Sequence, residues 1–427
     1  MASPLTPDQT GSYLPPWYAL PRAVPAGAHI AVLGAGLAGL LMAHRLHRDG
    51  FKVTLIDRRK SPMNEASGNP AAILEPVINR GHTPASRFYQ QALVQALRFY
   101  RTLEPDIFIP CGLERRPSDA KDKHRLDAFF QAGQLPDDFI DQKEDGTLIF
   151  PSCGYLYPAR LRETLMPRLE FHGEENIDHL IRNSRGWDLL DQAGKVRFTA
   201  TAVVLTAPEL VRLLPQSQGL PLQRVRGQIS YFPATQNAPN RVISAQSYLT
   251  PPIVLPKEFL DPDQIDGPVH IAGASFERLP DKADITSQVT MQKVTMQEHD
   301  QNRKAAARLL PDLANQPVLG GRAGIRYFTP DRLPLVGPVP VDDQYRAAYA
   351  GLHHGPRHRS FPPAAYHSHL YIFSGLGARG FLTAPLLSDY LAALIGGRPL
   401  PVPRPVIEAL HPARFLIRNL KRHRQNR

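Results

Sequence analysis

Gly34, Gly36 and Gly39, with Asp57 following 18 residues after the last of them, are the residues whose types and spacing point most directly to chemistry. In a Gly-x-Gly-x-x-Gly turn the first glycine permits a tight bend and the second lets a pyrophosphate approach the backbone. The third allows a helix to pack closely on a strand. A carboxylate at Asp57 accepts ribose hydroxyls and repels a 2′-phosphate, so the pattern favours FAD or NAD over NADP. An S-adenosylmethionine fold, whose first loop is also glycine-rich, is the alternative reading.

The elements that must position these residues are legible around them. His29 to Asp57 reads as a buried strand, the glycine turn, an amphipathic helix and a second strand closing on the acid. The helix places Leu37, Leu40, Leu41 and Leu46 inward and His44, Arg45, His47 and Arg48 toward solvent, and aims its amino end at phosphate. Arg58 and the small-residue loop Ser67-Gly68-Asn69 follow, close to where a cofactor would lie. Helical spacing marks Ser86 to Leu103, expected as an excursion from the nucleotide fold, and a second helix from Pro158 through Leu161, Leu165 and Leu169. Val196 to Ala207 reads as one strand rejoining the nucleotide sheet. Strand patterns broken by proline-rich turns between Leu222 and Phe276 predict an antiparallel sheet. Met291 to Leu310 reads as a helix exposing Asn302, Arg303, Lys304 and Arg308, and residues 370–397 repeat the strand, glycine turn and helix order.

Composition narrows the class. A hydrophobic content of 42% fits a globular protein. No run reaches the ~18 apolar residues that a membrane span requires. The first 27 residues hold six prolines and no apolar signal core, so they read as an extended arm or linker, and the expected location is cytoplasmic. Cys111 and Cys153 form no CxxC motif, which argues against zinc and against a disulfide framework. His353, His354, His358, His367 and His369 lack interleaved carboxylates or thiols and read as a surface loop over 343–369, so no metal is expected. Of the formal net charge of +11, Arg414, Arg418, Lys421, Arg422, Arg424 and Arg427 supply six units within the last 17 residues, which contain no acid. Such a terminus either attracts polyanions such as RNA or is a solvated helix end.

The nucleotide fingerprint at one end and a strand, GxGxRG turn and helix at the other resemble the D-amino-acid oxidase superfamily of flavoproteins. Interior motifs sharpen the likeness: Ser67-Gly68-Asn69, Gly227-Gln228-Ile229-Ser230, Tyr248-Leu249-Thr250-Pro251, Gly273-Ala274-Ser275, Arg322-Ala323-Gly324-Ile325-Arg326, Asp331-x-x-Pro334, and Gly375-Leu376-Gly377-Ala378-Arg379-Gly380. Together they look like the oxidoreductase half of the MnmC family, bifunctional enzymes of tRNA wobble-uridine modification. The resemblance covers the chain from about His29. It departs from the family pattern in leaving no room for an amino-terminal methyltransferase domain, in Pro208 where related flavoproteins tend to have glycine, and in having no cysteine beside Gly375–Gly380, which implies a non-covalent flavin.

What the resemblance implies is an α/β architecture: a Rossmann-like FAD-binding domain with an inserted α+β substrate domain rich in antiparallel sheet. The boundaries expected are an arm at 1–27; FAD-binding parts at 28–85, 151–212 and 318–400; a helical excursion of the substrate domain at 86–150; an antiparallel substrate domain at 213–317; and a basic segment at 401–427. The implied reaction removes the carboxymethyl group from 5-carboxymethylaminomethyl-(2-thio)uridine, leaving 5-aminomethyl-(2-thio)uridine and glyoxylate, with tRNA as partner and a separate methyltransferase taking up the product. Arg326 is expected on the substrate carboxylate, and Tyr248 and Gln228 either line the substrate face or fill the core. FAD is expected on Gly34, Gly36, Gly39, Asp57, Arg58, Ser67, Gly68, Asn69, Ala207, Gly375, Gly377, Arg379 and Gly380. Arg322, Arg303 and Lys304 join the basic terminus as candidates for phosphate contact. A free glycine, sarcosine or D-amino-acid oxidase and a non-catalytic tRNA-binding flavoprotein are the competing readings.

Overall fold

The computed structural model describes residues 14–79, 81–255, 259, 267–280, 293–354 and 360–422. Its frame is a six-stranded sheet in the order Leu335–Pro340, Tyr366–Ser374, Ala202–Leu205, His29–Leu33, Lys52–Ile56, Glu170–His172. All neighbours in it run parallel except the edge strand Leu335–Pro340. Parallel strands are covered on both faces and read as unbroken apolar runs, as Ala202–Leu205 and the buried end of His29–Leu33 do.

Three helices cover one face. Gly380–Ile395, nearly all of it buried, lies against both Leu37–Arg48 and Pro84–Arg101, and the three share one apolar core with both sheets. Two expectations change on this account. Pro84–Arg101 is packed onto the nucleotide fold instead of leaving it. Leu37–Arg48 is buried on nearly all sides over its first two turns, with only His47 and Arg48 fully exposed. Burial holds the pKa of His44 down to about 4, with nearby cations adding to the effect, and Arg45 pairs with Asp389 and Asp49.

The second large sheet has nine strands, mostly antiparallel, centred on Gln223–Pro233. Along one edge of that strand runs Gly320–Phe328, so this segment, expected with the FAD-binding parts, belongs to the antiparallel sheet. Along the other edge lie Val269–Gly273 and then Glu277–Arg278, with residues 274–276 leaving the ladder between them. Tyr248–Leu249 and Val242–Ser244 continue the sheet, and short strands at Leu113–Arg115, Leu148–Phe150 and Asp141–Gln142 complete it, although the sequence placed these last three in a helical excursion. The stretch expected as one strand from Val196 to Ala207 is two: Val196–Ala200 closes a separate three-stranded sheet, and Ala202–Leu205 enters the nucleotide sheet.

The first and last described segments meet in one place. The described part of the proline-rich arm is packed, with Trp17 and Tyr18 buried against Tyr345, Tyr349, Ala413 and Ile417. Residues 342–354 are helical, and His367 and His369 lie on the strand Tyr366–Ser374, so the expected histidine loop shrinks; His358 falls outside the described residues. Among the described residues there is no cluster of metal-ligating side chains and no helix long and apolar enough to cross a membrane.

Buried His411 fastens this junction. Its Nδ1 accepts the Ala413 N–H at 3.0 Å, which leaves the proton on Nε2, 3.0 Å from the Tyr366 hydroxyl. Burial, reinforced by Arg414, lowers its pKa to about 3. The unfolded chain takes up a proton near ~6.5 that the folded chain refuses, so stability is lost as pH falls below that value and continues to be lost toward the folded pKa. Going from pH 7 to pH 5 is expected to remove about 2 kcal/mol through this residue alone. Denaturant unfolding at the two pH values, compared with the same experiment on His411→Gln, checks it; an equal pH slope in both proteins refutes the assignment.

Candidate active site

A cleft of about 1090 Å³ opens where the first glycine turn meets the second sheet. That exceeds the ~300–1,000 Å³ of ordinary small-ligand pockets, and it lies beyond the carboxyl ends of the parallel strands, where open α/β sheets bind ligands.

The phosphate end is built from local geometry. Gly34 sits at φ +110°, and a side chain there would come within 2.9 Å of Ala207 backbone and side-chain atoms. Gly39 has no room at all, since its Cβ would fall 1.7 Å from the Gly34 carbonyl oxygen. Gly36 differs. Its nearest neighbour would be Ser67 Oγ at 3.4 Å, so nothing in the protein demands a glycine there and the space is left to a ligand. Gly36 also caps the helix Leu37–Arg48 without a side-chain hydrogen bond, and the helix dipole favours an anion at that end.

Around this turn several expected residues carry structural duties as well. Asp57 lines the cleft, but its carboxylate accepts the backbone N–H groups of Ala35 at 2.5 Å and Arg59 at 2.7 Å. Burial raises its pKa and these amides oppose the rise. Ser67 and Asn69 line the cleft; the Ser67 hydroxyl accepts the Leu37 N–H at 3.0 Å. Gly68 does not line it, and its glycine is demanded by the Met63 carbonyl oxygen 2.1 Å from where a Cβ would stand. Arg58 lines the cleft and pairs with Glu65. Arg322 is spent on the Asn64 and Glu65 carbonyls of the same loop, which removes it from the phosphate-contact candidates. Ala207 caps the short helix Pro208–Leu213, and Pro208 takes its first position, where a proline costs nothing.

The opposite end also carries charged groups. Gly375 and Gly377 adopt φ +75° and +57°, and a Cβ on Gly377 would lie 2.4 Å from the Phe328 ring, so the turn and that ring are fitted to each other. Arg379 caps the helix Gly380–Ile395 and turns its guanidinium onto Glu75. Burial works against its charge, yet the Glu75 carboxylate outweighs this and raises its pKa. Glu75 in turn holds the Ser244 hydroxyl and faces Arg115, which bridges on to Asp122 at 3.0 Å. The sequence reading missed Glu75; the signal was an acid standing inside the apolar run Ala71 to Val77.

Arg326 and Tyr248 both line the cleft. Burial pushes the Tyr248 hydroxyl up to about 12, with Arg326 opposing, so it is a neutral hydrogen-bonding group. Burial also depresses Arg326, and the nearby Arg379 adds to that. Among the described residues no carboxylate pairs with Arg326 and no group hydrogen-bonds to it. A half-buried guanidinium without a partner is costly unless a ligand supplies the anion. Gln228 is different. It is fully buried away from the cleft, with its amide clasping the Thr295 N–H and carbonyl, so it is a structural residue. Asn302, expected at the surface, is buried and donates to the Gln228 carbonyl and the Ser230 hydroxyl.

A family model described as FAD dependent oxidoreductase matches residues 29–394. The chain belongs to that family. Membership makes FAD the cofactor of this oxidoreductase, and the open cradle at Gly36, the helix amino end beside it and the left-handed Gly375–Gly377 turn fit it. Neither Cys111 nor Cys153 lines the cleft. The chain is 33% identical over 95% of its length to "tRNA 5-methylaminomethyl-2-thiouridine biosynthesis bifunctional protein MnmC" of Ectopseudomonas mendocina, and 32% identical over 96% of its length to the protein of that name from Magnetococcus marinus. It spans 62% of the length of each. Among solved structures, glycine oxidase from Geobacillus kaustophilus shares the fold at TM-score 0.63 and 18% identity, over 88% of this chain and 97% of that one.

Proposed function

We propose that this FAD-dependent oxidoreductase removes the carboxymethyl group from 5-carboxymethylaminomethyl-(2-thio)uridine at the tRNA wobble position, giving 5-aminomethyl-(2-thio)uridine and glyoxylate. The observation that carries the reading is the partnerless guanidinium of Arg326 in the cleft, beside the neutral hydroxyl of Tyr248. A guanidinium offers two parallel N–H donors to a carboxylate. Tyr248 adds a third donor. Desolvation in the cleft, which lowers the pKa of Arg326, likewise disfavours a charged amine beside it and so favours the neutral substrate amine with its lone pair available.

Non-covalently bound FAD supplies the acceptor for the hydride that leaves the methylene between amine and carboxylate. The amine loses its proton to solvent, and water adds to the resulting imine to release glyoxylate. Arg326 holds the carboxylate throughout, so the methylene stays fixed while its bonding changes.

Exposed Arg418, Lys421 and Arg422 on the terminal helix Arg414–Lys421 and just after it supply phosphate contacts. Arg414 is excluded from that role: it is buried, binds Asp331 through two nitrogens at 2.9 Å, and so ties the terminal helix to the rim of the cleft. Arg303 pairs with Asp300, while Arg424 and Arg427 lie outside the described residues. A tRNA substrate places the protein in the cytoplasm, and the primary amine it releases suits a separate methyltransferase.

Nucleoside mass spectrometry decides the matter. Purified holoenzyme is incubated with tRNA carrying the carboxymethylaminomethyl group and, in parallel, with glycine and sarcosine. The aminomethyl nucleoside together with glyoxylate is expected; unchanged tRNA with oxidation of the free amino acid refutes the proposal in favour of an amino-acid oxidase.

A further inference from the structure

We infer that Phe276 forms the outer wall of a base-binding slot, against which the uracil ring of the target nucleotide stacks while its side chain reaches Arg326. This deepens the function proposed above and rests on it.

Phe276 lines the cleft, and 54% of it is exposed, which is unusual for a large apolar ring in a fold with so extensive a core. It is held there by design of the sheet. Along Gln223–Pro233 the pairing of Ile229 with Gly273 resumes as Arg226 with Glu277, so residues 274–276 stand out from the ladder between them. That bulge is rigid. The Gln228 N–H donates to Ser275 Oγ at 2.8 Å, Ser275 N–H donates to the Gln228 carbonyl at 3.1 Å, and Ser275 Oγ donates to Glu298 at 2.6 Å. Bulges of this kind re-aim side chains beside active sites.

The ring it aims sits on the same wall as the carboxylate-binding group. Arg326 and Phe328 are two residues apart on one strand and so share a face. Phe276 meets Phe328 edge to face, with centroids 5.9 Å apart. A Cβ on Gly227 would stand 2.9 Å from both Arg326 Nη2 and the Ser275 carbonyl, so the bulge begins next to the guanidinium. The cleft therefore runs from a cation at depth, past one aromatic edge, to a second aromatic ring at the mouth. A carboxylate joined through a methylene, an amine and another methylene to a pyrimidine has that order of groups. Flipped or single-stranded bases are commonly read by stacking on aromatic side chains. An amino acid lacking a base has no use for the exposed ring.

The test uses holoenzyme and two ligands, the carboxymethylaminomethyl-uridine nucleoside and N-methylglycine, each titrated by its perturbation of the flavin spectrum. Wild type is expected to prefer the nucleoside. Phe276→Ala is expected to lower nucleoside affinity about tenfold, the loss a missing base–aromatic stack produces, and to reduce the preference for nucleoside over N-methylglycine by the same factor. Phe276→Trp is expected to keep it. A wild type that prefers and converts the nucleoside while Phe276→Ala matches it overturns this inference alone. A wild type that favours N-methylglycine and leaves the nucleoside unconverted overturns the proposed function and the base slot with it.

Discussion

Arg326→Met is expected to cut kcat/KM for a carboxylate-bearing substrate by about 30- to 4,000-fold, while the melting temperature of the protein holds or rises. The first half follows from the cost of truncating a buried charge that meets an opposite charge in the complex, about 2–5 kcal/mol, at about 1.4 kcal/mol per decade. The second half follows from what the guanidinium lacks in the free protein. With no carboxylate and no hydrogen-bonding group on it among the described residues, its charge is desolvated without return. An apolar chain of similar length removes that burden. Steady-state kinetics and thermal unfolding of the same preparation read both quantities. A melting temperature that falls together with the activity assigns Arg326 to the fold instead of the substrate.

Two alanine substitutions three residues apart are expected to fail in opposite ways. Gly39→Ala drives a methyl group to within 1.7 Å of a backbone oxygen and 2.8 Å of Thr206 Oγ1. The helix must lift from the sheet, at about 1–3 kcal/mol or more, and FAD binding and stability are lost together. Gly36→Ala meets no such barrier. Its φ of −70° and ψ of −175° suit any residue, and its nearest contact is at 3.4 Å. The apoprotein is expected to be as stable as the parent or up to about 1 kcal/mol better, because alanine restricts the unfolded chain. The methyl group fills the space a pyrophosphate needs, and FAD affinity is expected to drop about 10- to 100-fold through weakened charge-assisted hydrogen bonds. Isothermal titration of FAD beside apoprotein unfolding separates the two; equal loss of apoprotein stability in both variants contradicts the division.

At the glycine turn the conformations and close contacts that residues make with near neighbours were legible. Gly34, Gly36, Gly39 and Asp57 act across one strand, one helix and one more strand, and a backbone conformation or a missing Cβ is a property of the residue itself. The same holds for Gly375 and Gly377. Gln228 was left undecided between cleft and core for an identifiable reason. Its strand, Gln223–Pro233, is buried on both faces for nearly its whole length, so the alternation that tells a core face from a cleft face is absent. Asn302 and Arg414 were misplaced because polar residues on a helix read as exposed unless their partners are known. Those partners, the Gln228 carbonyl and Asp331, are 74 and 83 residues away.

The amino-acid sequence by itself determined the glycine turn and the family of flavoprotein and singled out Arg326, because each depends on a local conformation or on a residue type set in a continuous motif. Tertiary structure alone decided that Glu75 holds Arg379, that Arg322 braces the loop at Glu65, and that Phe276 stands at the mouth beside Phe328. Each of these depends on where a side chain finds its counter-charge or its neighbouring ring, and those partners are brought together by strand pairing and helix packing between segments distant in the chain.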